Sequence, residues 1–253
     1  MINVILLGFG NVNSHLLRAF SESEEAAVIQ VFNRSKIDLN TLNDIPFTSQ
    51  LSELKDADVY IIGIADDAIA SFSEKLANQN KLVVHTSGSA AIDVLSANNR
   101  RGVFYLLQTF SKQQKVNFQK IPICIEAENK TDLKLLQKLG KAISNNVVEV
   151  SSIKRARLHL AAVFVNNFVN YMYQIGSEIL KEDELSFNLL QPLIAETASK
   201  IKTLSPSEAQ TGPAKRNDKK TIEKHLHLLE SEAHKKIYKL ITAQLTQKYG
   251  KEL

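Results

Sequence analysis

Two glycines, Gly8 and Gly10, sit between an apolar run from Ile2 to Leu7 and an amphipathic stretch that begins NVNSHLL. A strand that enters a glycine turn and then a helix presents free backbone N–H groups and the positive end of a helix dipole, which is chemistry suited to a pyrophosphate. Gly8, Gly10, Asn11 and Val12 are therefore the expected dinucleotide-binding turn. The third position of GxGxxG, where Gly or Ala usually lets helix and strand approach closely, is Asn13, with Ser14 beside it. The next apolar run ends in Asn33, Arg34 and Ser35. An acid there would hold the ribose 2′-OH of NAD and repel a 2′-phosphate, whereas Arg34 would bind one. Arg34 is the cation that the sequence places at this end of the strand, so the pattern implies NADP(H).

Later strand ends add further polar groups. The run over 58–64 leads into GIADDAIA, where Ala65 lets the backbone come near the ribose and Asp66 starts a helix. Capping is the plainer reading of Asp66 and Asp67. The following run ends in HTSGS, which crowds His85, Thr86, Ser87, Gly88 and Ser89 at the expected nicotinamide end. A histidine among hydroxyls can donate to, or shuttle protons for, a carbonyl or imine being reduced. Equally, Ser87 and Ser89 cap a helix while His85 fills a strand end. The segment YLLQTFS puts Gln108 and Thr109 on the same rim. Further on, His159, Val163, Asn166, Asn167 and Asn170 recur at spacings of three and four, as one face of a helix does. Amides on such a face need partners once buried, either another helix or substrate and cofactor. Finally AQTGPAKRND supplies Thr211 and a Gly212 and Pro213 turn, then Arg216 and Asp218. That turn either reaches a crevice of its own or a partner subunit or is a solvated loop. His225, His227 and His234 lack metal-like spacing with a carboxylate, and no metal is expected.

These residues need elements to hold them. Up to about residue 150, short apolar runs alternate with helical periodicity, which predicts an α/β fold: a doubly wound, Rossmann-like, mostly parallel sheet. Strands are predicted at 2–7, 27–33, 58–64, 81–85, 102–107, 121–125 and 146–150, and helices at 11–21, 66–78, 89–97 and 130–144. After Ser151 the β-branched runs cease and long amphipathic patterns take over, predicting helices near 153–181, 185–204, 218–231 and 233–249. The expected domains are 1–150, NADP-binding, and 151–253, an all-α domain for substrate and dimerisation. A parallel sheet binds ligand at the carboxyl ends of its strands, so the chemistry is expected in the crevice between that rim and the helices.

Composition narrows the classes. With 253 residues, 44% of them hydrophobic, the chain can bury a substantial core. It has no run of about 18 apolar residues that would span a membrane. One cysteine, Cys124, excludes an intrachain disulfide framework and fits a reducing cytosol, and no basic leader precedes the first strand, so a cytoplasmic protein is expected. A net charge of +4 and a pI near 9.0 invite a nucleic-acid partner. The lysines are nevertheless spread over helical faces, with only a mild cluster at 215–224, and no recognition motif accompanies them. The helix from 153 carries Leu160, Ala161, Phe164, Val165, Phe168, Val169 and Met172 on more than one face, which predicts a homodimer through the helical domain.

Through GFGNVNSHL, VHTSG, FYLLQTFS, IPICIEA, LHLAAVFVNNFVN and AQTGPAKRND with the helix that follows, essentially the whole chain resembles a family of bacterial predicted NADP oxidoreductases. Its members join a Rossmann-like domain to a helical C-terminal domain of unknown function, and the last two segments are the most specific. More distantly, the layout is similar to pyrroline-5-carboxylate reductase and the 3-hydroxyacid dehydrogenases. That likeness implies that the stripe from His159 to Asn170 occupies an active-site helix and that the helical domains build a dimer. The dehydrogenases carry a lysine proton donor on that helix, where this chain has His159 and asparagines. Leu106 stands in place of the family's proline before QTFS, and Asn13 is a second departure. The leading expectation is an NADPH-dependent reductase of a small carbonyl or imine, with His85, Ser87, Thr109, His159, Asn167, Asn170 and Thr211 at the reacting end. Gly8, Gly10, Asn11, Val12, Asn33, Arg34, Ser35, Ala65 and Asp66 would hold the cofactor. The alternative is a non-catalytic NADP(H) sensor or scaffold, which gains if neither His85 nor His159 lines the nicotinamide site.

Overall fold

A computed structural model describes residues 1–42, 44–76, 80–111 and 114–250. The chain divides into two compact units, Met1–Phe164 and Val165–Leu253. The first is built on a sheet of eight described strands: β1 (Ile2–Leu7), β2 (Ala26–Phe32), β3 (Phe47–Thr48), β4 (Val59–Ile62), β5 (Leu82–His85), β6 (Arg100–Leu106), β7 (Ile123–Ala127) and β8 (Val147–Glu149). Their order is β3-β2-β1-β4-β5-β6-β7-β8, parallel throughout except that β7 runs antiparallel to β6. The order reverses between β1 and β4, so the switch point lies beside the glycine turn, where open α/β sheets bind ligands.

The central strands read as unbroken apolar runs because both of their faces are covered. Val4 and Leu6 of β1 join one core layer with Ile61, Val84, Leu16 and Phe20, whereas Ile5 and Leu7 join the other with Tyr60, Ile62, Val83 and Ile69. Helix α1 (Asn11–Ser21) packs on the first layer and the short α2 (Ile69–Glu74) on the second, while α3 (Lys130–Lys141) lies against β7. β3, with two residues, is too short to leave a periodic signal. The helix expected over 66–78 begins as a 3₁₀ turn, Asp66–Ala68, continues as α2 and ends at Glu74; residues 77–79 lie outside the described set. The helix expected over 89–97 is replaced by an irregular segment with one 3₁₀ turn, Ile92–Val94. Side chains meet two first-turn donors of that segment, and one takes a carbonyl that a helix would have used. Ser87 Oγ accepts from the Ala90 N–H (2.9 Å), Ser152 Oγ from the Ile92 N–H (2.9 Å), and Arg155 donates to the Ala90 carbonyl.

The same arginine fastens the helix that follows β8 to the sheet unit. Helix α4 (Ser152–Ala162) carries Arg155, which is fully buried and paired with Glu126 of β7 at 2.6 Å. Glu126 also accepts from the Ser152 N–H and hydroxyl, so the start of α4 is fastened to the sheet edge and to the loop after β5. Only Nε of the guanidinium is left without a partner among the described residues.

From Val163 to Phe168 the α4 helix passes into a π-helical stretch and then into α5 (Val169–Glu182). The second unit continues with α6 (Gln191–Lys200), α7 (Pro206–Ala209), α8 (Lys219–Leu228) and α9 (Glu232–Tyr249). It contains no strand among the described residues. Ala214 is its one buried residue there. No described helix is long and apolar enough to cross a membrane.

Arg155→Met removes the cation and strands Glu126 among partners chosen for an ion pair, and such a break costs about 3–5 kcal/mol. Urea denaturation is expected to show that loss, with Glu126→Leu/Arg155→Met regaining most of it; a loss below about 1 kcal/mol in the single variant would remove Arg155 as the anchor of α4.

Candidate active site

Gly8 has φ +84, and a Cβ built on it would lie 2.4 Å from Ile64 Cγ2 and 2.9 Å from the Gly63 carbonyl oxygen. Glycine is the residue that this turn admits. Gly10 precedes α1 without any side-chain cap on the helix and without an acid in its first turn, and a Cβ on Gly10 would meet nothing nearer than 3.9 Å. The positive helix end is thus bare and open, as an anion site requires. Asn13, which stands where the motif usually has a small residue, is fully buried and donates to the Gly8 carbonyl (2.7 Å) and the Leu7 carbonyl (3.2 Å). The room for it comes from the end of β4: a Cβ on Gly63 would lie 2.5 Å from Asn13 Cγ. The close approach has moved from the third motif position to Gly63.

Asn33 ties the turn to the end of β2, accepting from the Phe9 N–H at 3.1 Å and donating to the Ser35 carbonyl at 2.9 Å. Beyond it opens a cavity of about 540 Å³ lined by Gly8, Asn33, Arg34, Ser35 and Ala65, five residues assigned to the cofactor from sequence. Lys75 lines it as well, just past α2, with Ser49 and Ser71. A second cation beside Arg34 was not legible in the sequence, because nothing in the spacing brings the end of α2 to the end of β2.

The loop after β5 is a hydrogen-bonded cluster. Ser87 Oγ (2.7 Å) and Ser89 Oγ (2.6 Å) both donate to Asp66 Oδ2, so the Asp66 carboxylate is turned to this loop. It caps no helix, since the 3₁₀ turn that it starts has no side-chain cap, and it is not among the residues lining the cavity beside Arg34. Ser87 in turn accepts from the N–H groups of Ser89 and Ala90. His85 is wholly buried. Its Nδ1 accepts from the Ser87 N–H (3.2 Å), and Nε2 faces the Ala91 carbonyl (3.2 Å), which makes Nε2 the protonated nitrogen. Burial, aided by the Arg155 charge, lowers its pKa from 6.5 to about 4. With both nitrogens engaged in this way, the neutral His85 imidazole ties the end of β5 to the loop that follows it.

His159, on α4, meets that loop instead. A Cβ on Gly88 would lie 2.5 Å from His159 Nδ1 and 2.9 Å from Tyr105 Cζ, so Gly88 is the gap into which the two rings pack. Tyr105 Oη and His159 Nδ1 are 3.2 Å apart, with the rings edge to face at 6.0 Å. Tyr105 lies in the FYLLQTFS segment but reads there as one more inward residue of a strand. Thr109 is exposed beyond β6, on a segment held to α1 by Asn11 Nδ2 on the Phe110 carbonyl (3.0 Å) and by His15 Nε2 against the Ser111 carbonyl (3.0 Å). Asn11 therefore spends its side chain on that loop.

Asn167, Asn170 and Thr211 belong to the other compact unit and are exposed. The π-helical stretch interrupts the α period on which the stripe from His159 to Asn170 was read; π turns insert a residue and shift every later side chain. The TGPAKRND turn is fastened rather than solvated. Ala214 is buried, Lys215 Nζ donates to the Gln210 carbonyl (2.7 Å), and Asp218 caps α8 through the Thr221 N–H. His225 pairs with Tyr238 (2.8 Å) and His234 with Glu178 (3.3 Å).

A glycine turn at the switch point of a parallel sheet, a cavity lined by Arg34 and Lys75 and a polar loop after the neighbouring strand define a Rossmann-type dinucleotide-binding fold. The chain is 35% identical to a Bacteroides fragilis protein provisionally named an NADP oxidoreductase, with 97% of this chain and 98% of that one covered and a TM-score of 0.87, and it belongs to the same family. A domain of unknown function, DUF2520, matches residues 121–245. Among more distant folds are pyrroline carboxylate reductase of Plasmodium falciparum with NADP bound (15% identity, 98% and 97% covered, TM-score 0.57) and a reductive aminase of Aspergillus terreus in complex with NADPH and ethyl levulinate (13%, 100% and 96%, 0.69). No curated protein matches the chain.

The depressed pKa of His85 makes the stability of the fold depend on pH. Between pH 6.5 and 4 the unfolded histidine takes a proton that the folded one refuses, so stability is full above 6.5 and falls as pH drops, by up to about 3 kcal/mol. Denaturation at pH 7 and at pH 4.5 is expected to show a loss that His85→Asn reduces; an unchanged loss in the variant would assign it to other groups.

Proposed function

We propose that the protein is an NADPH-dependent oxidoreductase that reduces a small carbonyl or imine. The observation that carries this reading is the pair of cations, Arg34 and Lys75, lining one cavity at the ribose end of a bare glycine turn. A 2′-phosphate there would receive charge-assisted hydrogen bonds, and the described lining offers no carboxylate to hold the 2′-OH of NAD instead. The residues fit the cofactor: the amides of Asn11 and Val12 would receive the pyrophosphate, Ala65 would face the ribose, and the HTSGS loop would flank the nicotinamide. When bound, NADPH supplies the hydride. Ser87, Ser89 and Asp66 shape the reacting end, and His159 is the imidazole left there as a donor to the substrate. Its presence against the loop favours an enzyme over a non-catalytic sensor. Thr109, exposed on the segment beyond β6, is assigned to substrate positioning, and its alanine variant tests that assignment.

We also propose a homodimer through the helical unit. From Val165 onward Ala214 alone is buried among the described residues, while Leu189, Leu193, Leu228 and Leu240 are each more than 60% exposed. Helices with apolar faces and no core need a partner surface, and a second copy supplies the same face. Light scattering at micromolar concentration is expected to return twice 28.2 kDa, and 28.2 kDa alone would contradict it.

For the cofactor, Arg34→Ala is expected to weaken NADPH roughly ten- to a hundredfold, as loss of about 1.5–3 kcal/mol implies, with little effect on NADH; Lys75→Ala acts in the same direction. Fluorescence titration checks this, and equal losses for the two cofactors would remove the argument. With 1-pyrroline, small ketones and ketoacids as trial substrates, His159→Ala is expected to lower turnover about a hundredfold.

A further inference from the structure

We infer that Tyr105 is a positioning residue: its hydroxyl donates to His159 Nδ1 and thereby presents Nε2–H as the free donor of that ring at the HTSGS loop. This rests on the reading of that loop as the reacting end of the site.

The direction of the hydrogen bond follows from what each group has left to do. The two atoms are 3.2 Å apart, and His159 Nδ1 is the partner of the Tyr105 hydroxyl among the described residues. Tyr105 is buried at the end of β6, next to Cys124 and Val103. Burial pushes its ionisation upward, so it keeps its proton. If Nδ1–H were the donor, the tyrosine O–H would be left without an acceptor in an apolar setting, which is the costly arrangement. With the tyrosine donating, both groups are satisfied and the proton of a neutral His159 sits on Nε2. Among the described residues Nε2 has no hydrogen-bond partner, whereas both ring nitrogens of His85 are occupied. The two histidines of the site thus divide the work: one is spent on the loop, and the other is held ready.

Three features fix the ring as well as its tautomer. Gly88 leaves a gap that a methyl group would fill, so the imidazole lies directly on the loop backbone. The edge of one ring meets the face of the other, which opposes rotation. One helical turn earlier, Arg155 is clamped between Glu126 and the Ala90 carbonyl, so α4 cannot slide along the loop. A donor held in this way can hydrogen-bond a carbonyl oxygen or a neutral imine nitrogen without first ordering itself, which is the advantage of preorganisation.

The test is the ¹⁵N spectrum of the His159 ring in the free protein, with NADPH affinity measured alongside. At neutral pH the wild type is expected to carry its proton on Nε2, with Nδ1 in the range of a hydrogen-bonded acceptor. Tyr105→Phe keeps the ring packing and is expected to move Nδ1 to the position of an acceptor without that donor, leaving NADPH affinity unchanged. With 1-pyrroline as substrate, the variant is expected to lose roughly three- to tenfold in kcat with little change in KM for NADPH. A proton on Nδ1 in the wild type, or a spectrum that Tyr105→Phe leaves unaltered, overturns the inference. The wild-type spectrum alone decides the matter if the variant does not fold. Failure of NADPH to bind the wild type at all would instead overturn the proposed function, and the two results are read separately.

Discussion

A guanidinium taken wholly out of water is expensive unless it is paired, and Arg155 is the point on which the candidate reacting end of this protein turns. It meets Glu126 on β7, the Ser152 hydroxyl on its own helix and the Ala90 carbonyl on the loop after β5. One side chain thereby joins a sheet edge, a helix and a loop that lie far apart in sequence. Its charge also reaches His85 and helps to keep that ring neutral. Without this junction α4 would have no fixed register against HTSGS, and His159 would have no defined place. The buried ion pair is better understood as a device for position than as a source of net stability, since an apolar pair of the same shape could stabilise the fold as well.

The glycine turn obeys a different constraint, that of backbone space. Gly8 is required by its positive φ and by the wall formed by Ile64 and Gly63. Asn13 is compatible with the fold because Gly63 gives up a side chain and because the amide nitrogen finds the Gly8 and Leu7 carbonyls. The usual rule of a small third residue is therefore one solution to a packing problem that has at least two. Asn33 then carries the turn across to β2, so the residue beside the candidate phosphate ligand Arg34 also sets the shape of the loop that would hold the pyrophosphate.

Much of this was legible from residue order, and the remainder was hidden for identifiable reasons. The central strands were readable because parallel strands covered on both faces must be continuously apolar, as at Val59–Ile62 and Leu82–His85. The glycine turn was readable because its geometry depends on local spacing, as the positive φ of Gly8 bears out. The helix expected over 89–97 was misread because the Ala90 carbonyl, which such a helix would have used, is taken by Arg155, 65 residues along the chain. Lys75 and Tyr105 were missed for the same reason, since each acquires its place only when distant elements meet. Asp66 looked like a helix cap because acids at strand-to-helix junctions commonly are; two serines further along the chain claim its carboxylate instead. The stripe from His159 to Asn170 assumed an unbroken α period, and the π-helical stretch at Val163–Phe168 removes that assumption.

The central claim is that one face of the sheet unit binds NADP with its phosphate end at Arg34 and Lys75 and its reacting end at the HTSGS loop. A crystal structure of the protein soaked with NADP⁺ tests this most directly. The 2′-phosphate is expected within hydrogen-bond distance of Arg34 and Lys75, the pyrophosphate on the amides at the start of α1, and the nicotinamide ring beside Ser87 and His159. A cofactor bound with its 2′-phosphate away from both cations, or with its nicotinamide directed away from the HTSGS loop, would contradict it.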